Sequence, residues 1–161
     1  MSVGFCLNHG MDGSVTVHMA APAMKIWELV ADVRNVGRFS PETFEAEWLD
    51  GATGPAVGAR FRGHVRRNEI GPVYWTTCRV TDCEPGREFG FDVLAGDRAL
   101  NHWHYRFTPS GDGTDVTESF RLADAPALRV YAAVLGPLRR RRNVRDMRKT
   151  LNRIKDAVEA A

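Results

Sequence analysis

The sequence predicts an α+β fold in which a curved antiparallel sheet of about seven strands wraps on one long C-terminal helix, with two short helices after the first strand. Three observations predict it. A strand-like segment near the N-terminus is followed by a helical one; six strand-like segments then succeed one another from about Thr43 to Ala123; and the chain closes on an amphipathic stretch from about Ala125 to Glu159. A long antiparallel sheet needs one face covered, and a single long helix covers it. One helix cannot fill a strongly curved sheet, so a hollow between the two is expected. Aromatic lining suits such a hollow to a hydrophobic small molecule.

Each element has its local signal. Val15, Val17 and Met19 alternate with Thr16 and His18, the period of a half-buried strand. Pro22 suits a helix start, and Ala23, Ile26, Val30 and Val33 follow at helical spacing. Gly37 interrupts that segment and Ser40-Pro41 ends it, which places a second short helix around Asp32 to Arg38. Phe44, Ala46 and Trp48 then alternate with Glu45 and Glu47, and Phe61, Gly63 and Val65 alternate with charged neighbours. Val73 to Cys83 is β-branched and aromatic; Phe89, Phe91 and Val93, then Trp103, Tyr105 and Phe107, form two further alternating rows. Val116, Glu118, Phe120 and Leu122 make the last, and turns recur at hairpin intervals between them. The closing helix has Asp124 as its expected cap and Pro126 in its first turn. Val144, Met147, Leu151, Ile154 and Val158 form its apolar stripe, continued backwards through Arg141, Pro137, Val134 and Val130. Gly136-Pro137 is expected to kink or break it, laying the first half over the mouth of the hollow.

Composition narrows the function. The 161 residues, 43% hydrophobic and 26% charged, read as one globular ligand-binding domain with residues 1–12 as a flexible N-terminus. No apolar run approaches the roughly 20 residues of a membrane span. Met1 to Gly13 lacks the basic start and apolar stretch of a signal peptide, and Met11 is an alternative start. Cys6, Cys78 and Cys83 are an odd number without metal-ligand spacing, which reads as reduced thiols in a cytoplasmic protein. The net charge is +2, yet Arg139 to Lys155 holds nine basic residues and one acid, or +8, leaving −6 elsewhere.

The order of motifs resembles a known family. Val17-His18-Met19-Ala20-Ala21-Pro22, then Ile26-Trp27 and Asp32-Val33, is similar to the entrance of the polyketide cyclase/dehydrase and lipid-transport family of the START-related superfamily. Trp48-Leu49-Asp50-Gly51 with Val57-Gly58-Ala59-Arg60-Phe61 resembles its second hairpin. Val80-Thr81-Asp82-Cys83-Glu84-Pro85-Gly86-Arg87, with Gly113-Thr114 and Val116-Thr117-Glu118, resembles its later strands. The resemblance spans Val15 to Val158 and implies the helix-grip fold. The family mixes enzymes, carriers and ligand sensors, so the fold does not settle the function.

The candidate ligand-binding residues are Phe44, Trp48, Phe61, Phe89, Phe91, Trp103, Tyr105, Phe107, Val134 and Arg141. Glu118 is the candidate catalytic group, because alternation with Val116 and Phe120 turns its carboxylate toward the apolar face. There it needs a partner or a raised pKa, and Arg141 and Arg79 are the partners considered. If Trp103, Tyr105 and Phe107 point inward, His102 and His104 face outward, and neither a metal nor a cofactor is expected. Arg139-Arg140-Arg141-Arg142, with Arg145, Arg148 and Lys149, reads as a solvated helix face, since no aromatic side chains interleave to stack on bases. There is no Gly-x-Ser-x-Gly elbow or phosphate-cradling glycine loop. The expected function is therefore binding of a hydrophobic, lipid- or polyketide-like molecule as carrier or sensor. The alternative is a polyketide aromatase/cyclase-type enzyme using Glu118; specific nucleic-acid binding is not expected, and the oligomeric state is left open.

Overall fold

Alternation and turn chemistry generate the elements seen in the computed structural model, which describes residues 12–67 and 70–161. Cys6, the proposed start at Met11 and the expected mobility of residues 1–11 lie outside the described residues. Strand β1 (Gly13–Met19) leads through Pro22 into α1 (Ala23–Ala31). A single 3-10 turn (Val33–Asn35) follows, begun by the Asp32 carboxylate accepting from Arg34 N–H, and passes into α2 (Val36–Phe39). Gly37 lies inside α2 rather than interrupting it: a Cβ there would sit 2.0 Å from the Phe44 carbonyl oxygen. Strands β2 (Thr43–Trp48), β3 (Arg60–Arg66), β4 (Val73–Glu84), β5 (Glu88–Ala95), β6 (Arg98–Ser110) and β7 (Gly113–Leu122) come next, and α3 (Pro126–Glu159) closes the chain.

All seven strands form one antiparallel sheet in the order β1-β7-β6-β5-β4-β3-β2. From β2 onward each pairs with its sequence neighbour, and β1 folds back onto β7. Two-residue hairpins with Gly96 and Gly111 at positive φ join β5 to β6 and β6 to β7. Register shifts in β2, β4 and β6 each bend the sheet, as bulges do, so that the inner faces of β2 to β7 line one hollow.

Helix α3 closes that hollow. Its Met147, Leu151, Ile154 and Val158 are buried with Val15, Met19, Ile26 and Val116 in the core. Two elements tie α1 to the sheet: the Trp27 indole donates to the Glu88 carbonyl at 2.9 Å, and Thr114 Oγ1 donates to the Ala21 carbonyl at 2.8 Å. Basic side chains of α3 do much of the remaining fastening. Arg140 Nε donates to the Asp12 carbonyl, Lys155 Nζ to that of His18, and Arg153 to that of Phe39. Ala20 N–H donates to Glu159 Oε1.

Three expectations for α3 are corrected. The helix starts at Pro126 with Ala125 as cap; Asp124 instead accepts from Arg129 at 2.6 Å. Of the expected kink or break at Pro137 the break is absent: the residue lies within one continuous 34-residue helix, whose first half lines the hollow through Leu128 and Tyr131. The apolar stripe, correct from Met147 to Val158, does not run back through Arg141, Val134 and Val130, which are exposed. Asn143, Gly136 and Ala132 hold the buried positions. A strict seven-residue repeat drifts by about 20° per heptad on a helix of 3.6 residues per turn, so extrapolating it over two heptads misses the face.

Candidate functional site

The hollow is a cavity of about 430 Å³ between the concave sheet and α1, α2 and α3. Its size falls within the range of small-molecule sites, roughly 300–1,000 Å³. Phe61 on β3, Phe89 and Phe91 on β5, Trp103 and Tyr105 on β6 and Phe120 on β7 supply its aromatic wall. Phe61 meets Phe91 edge-on at 5.1 Å, and Trp103 tilts against Phe120 at 4.8 Å, so the rings brace one another. Leu29, Val36, Tyr131 and Met147 contribute from the helices.

Glu118 sits in this wall, 3% exposed. Its partner is Tyr105, directly opposite it on the neighbouring strand, whose hydroxyl donates to Glu118 Oε1 at 2.8 Å. Neither Arg141 nor Arg79 plays the expected part. Arg141 is exposed, and Arg79 alternates with the buried Cys78 and Val80, which places it on the outer face of the sheet. Burial without a cation favours the neutral acid and lifts the carboxyl to about 8, against the weaker lowering effect of the tyrosine hydrogen bond. Burial and the adjacent carboxylate raise Tyr105 well above its ordinary value, so the phenol keeps its proton. The second carboxyl oxygen, Glu118 Oε2, is buried and unpaired within the protein.

Three further polar atoms in the lining have no protein partner: Asn101 Oδ1, Asn143 Nδ2 and Glu42 Oε1. Arg139 reaches the other oxygen of Glu42 at 3.5 Å. The cavity thus presents an aromatic surface with a protonatable carboxyl in its wall and unsatisfied hydrogen-bonding groups spread around it. Asn143 had a readable signal, standing four residues before Met147 and eight before Leu151 on one helix face. Asn101 had one too, standing two residues before Trp103 on the same alternating row, and Arg139 stands four residues before Asn143; Glu42 had none, because it precedes the first residue of β2.

The other expected lining residues lie elsewhere. Phe44 is the extra residue of the β2 bulge, so it turns to the outer face and packs on His64, while Thr43 and Ala46 face the cavity. Trp48 packs edge-on against Phe61 and helps fill the core rather than the cavity wall. Phe107 is buried deep in the core. Val134 and Arg141 are exposed on α3. Cys78 does line the cavity, but burial pushes its thiol up to about 12, which leaves it unreactive.

Comparison with known proteins agrees with this architecture. The family model described as polyketide cyclase / dehydrase and lipid transport matches residues 12–159. No curated protein matches the sequence. Among solved structures, a Deinococcus radiodurans protein is similar at 18% identity and a TM-score of 0.67, over 94% of this chain and all of that one. A polyketide-cyclase-like protein of Corynebacterium glutamicum is similar at 28% identity and a TM-score of 0.64, over 92% of this chain and 91% of that one. The di-domain ARO/CYC protein StfQ, from the steffimycin biosynthetic pathway, is similar at 16% identity and a TM-score of 0.69, over 93% of this chain and 51% of that one. With the matched region running from the start of β1 to the end of α3, over a curved sheet closed by one long helix, this chain belongs to the polyketide cyclase/dehydrase and lipid-transport family.

Proposed function

We propose that the protein binds a hydrophobic small molecule, lipid- or polyketide-like, in the cavity between sheet and helix, as a carrier or sensor. One observation carries the reading: an aromatic cavity holds a buried carboxyl whose second oxygen has no partner in the protein. A buried polar atom left unpaired costs about 1–3 kcal/mol, and a ligand hydroxyl or carbonyl there removes that cost. The ligand is then an apolar, ring-containing body bearing oxygens, its rings against Phe91 and Trp103 and one oxygen at Glu118. A cytoplasmic location belongs to the same proposal and is supported by Cys78 and Cys83 being free thiols.

Catalysis of the aromatase/cyclase type is the second reading, favoured by the Glu118 carboxyl at about 8. A group that exchanges its proton near neutral pH is suited to moving protons during aldol closure and dehydration of a poly-β-keto chain. The cavity would hold that chain in a reactive shape.

Native mass spectrometry of the protein purified from its own host tests the first reading, and an oxygen-bearing apolar molecule is the expected passenger. Glu118→Gln separates the two. In a carrier it weakens binding by about 1–3 kcal/mol; in an enzyme it lowers turnover by about 100-fold or more with little change in binding. No saturable binding of any lipid or aromatic polyketide by the wild type would refute both.

A further inference from the structure

A second convergent group of side chains lies on the opposite, outer face of the sheet. His102 and His104 alternate with the inward Trp103 and stand together on β6, their ring centroids 6.0 Å apart. Neighbouring strands bring acids to them. Plain alternation from the buried Val80 would turn Asp82 inward. The β4 bulge inserts Thr81 and returns Asp82 to the outer face, in register with Gly90 on β5 and, across it, with His104 on β6. Gly90 leaves a notch among them: a Cβ there would lie 2.5 Å from Asp82 Oδ2 and 3.0 Å from His104 Cδ2.

Into this notch Asp82, Glu88 and His104 each direct one donor atom, all within 4.8 Å of one another. His104 Nε2 is 3.2 Å from Glu88 Oε2, and His102 bridges Asp82 at 3.6 Å and Asp92 at 2.9 Å through its two nitrogens. Asp82, Glu88 and Asp92 bring three carboxylates to the group, and in strand register Arg79 stands opposite Asp92, Arg106 opposite Glu88 and Arg121 opposite His102. None of the ion pairs among the described residues joins Asp82, Glu88 or Asp92 to a lysine or arginine. The His104, His102 and Asp92 side chains are 17%, 21% and 18% exposed and those of Glu88 and Asp82 33% and 35%, so the group is half-buried.

The geometry points to a divalent transition-metal site of Asp82, Glu88 and His104. Mixed imidazole and carboxylate donors suit zinc and its borderline neighbours, and three protein donors leave a position for water. His102 is the outer support: it contacts the Asp82 carboxylate and is itself oriented by Asp92, the arrangement that commonly fixes a ligand's direction. Such an ion links β4, β5 and β6 across the back of the cavity wall. Among the described residues, the other two histidines lack this convergence. His64 meets a single carboxylate, Glu45, and His18 uses different nitrogens for Asp112 and Asp115.

Zinc titrated calorimetrically into chelator-stripped protein tests the site, with cobalt absorption as a second readout. Saturable one-to-one binding is expected, with a visible cobalt band. His104→Ala and Gly90→Ala should each weaken zinc binding by about tenfold or more, the scale on which even outer partners of a metal count. His64→Ala should leave it unchanged. Glu88→Gln keeps the side-chain size and removes one anionic donor, so it should also weaken binding, without the folding risk of the glycine variant. Absence of saturable zinc binding, or wild-type affinity in both His104→Ala and Glu88→Gln, overturns the assignment.

Discussion

Replacing Glu118 by glutamine should flatten the pH dependence of stability. Folding lifts this carboxyl from its ordinary 4.5 to about 8. Between those values the unfolded chain has released the proton and the folded chain retains it, so the unfolded state binds fewer protons and stability falls as pH rises. Each pH unit costs about 1.4 kcal/mol, and the whole interval on the order of 4–5 kcal/mol. The loss is absent below pH 4.5 and complete above about pH 8. Glutamine still accepts from the Tyr105 hydroxyl but cannot ionise, so its stability lacks this decline. Urea unfolding of both proteins from about pH 5 to 9 reads the difference, which should widen in favour of the variant up to about pH 8 and then level off. Parallel curves across that range would refute the idea that an uncompensated buried carboxyl sits in the cavity wall.

Other perturbations have equally definite outcomes. Leu151→Ala removes a fully buried side chain and should cost about 2–5 kcal/mol in urea unfolding. Thr114→Val strands the buried Ala21 carbonyl that Thr114 Oγ1 now satisfies, and should cost about 1–3 kcal/mol by the same measurement. Gly37→Ala drives a methyl group against the Phe44 carbonyl, where only backbone movement relieves the clash, and should lower the thermal midpoint with a loss of about 1–3 kcal/mol. A labelled DNA duplex should bind weakly and release on raising salt, because the basic helix carries charge without stacking side chains. Tight, sequence-dependent binding at physiological salt would contradict that reading.

Strand number, strand order along the chain, the covering helix and the aromatic cavity wall are all legible in the sequence, because period-2 alternation survives wherever a strand is half buried. Legibility ends where the period slips. The bulge at Phe44 reverses that residue, and the bulge at Thr81 sends Asp82 to the outer face. Core and cavity share one apolar signature, so Phe107 and Phe91 look alike until the fold places one in the interior and the other at the wall. Glu118 could be assigned inward from alternation, but its partner could not, since Tyr105 reaches it through strand register across a hairpin. On α3 Asn143 is legible from its spacing of four and eight residues before Met147 and Leu151, whereas a seven-residue extrapolation points to the exposed Arg141 and Val134 instead.

The contacts between α3 and β1 also bear on the edges of the sheet. Among the described strands β1 and β2 are the two with an unpaired side, and an unpaired strand is a template for further strands. Arg140, Lys155 and Glu159 occupy backbone groups at both ends of β1. At the opposite rim β2 is six residues long, bulged, and carries Glu45 and Glu47 on its outward face, features that discourage a clean ladder. The last two turns of the C-terminal helix therefore act as a guard against cross-β growth as well as a cover for the core. Clipping them would open the β1 rim to aggregation as well as removing core contacts.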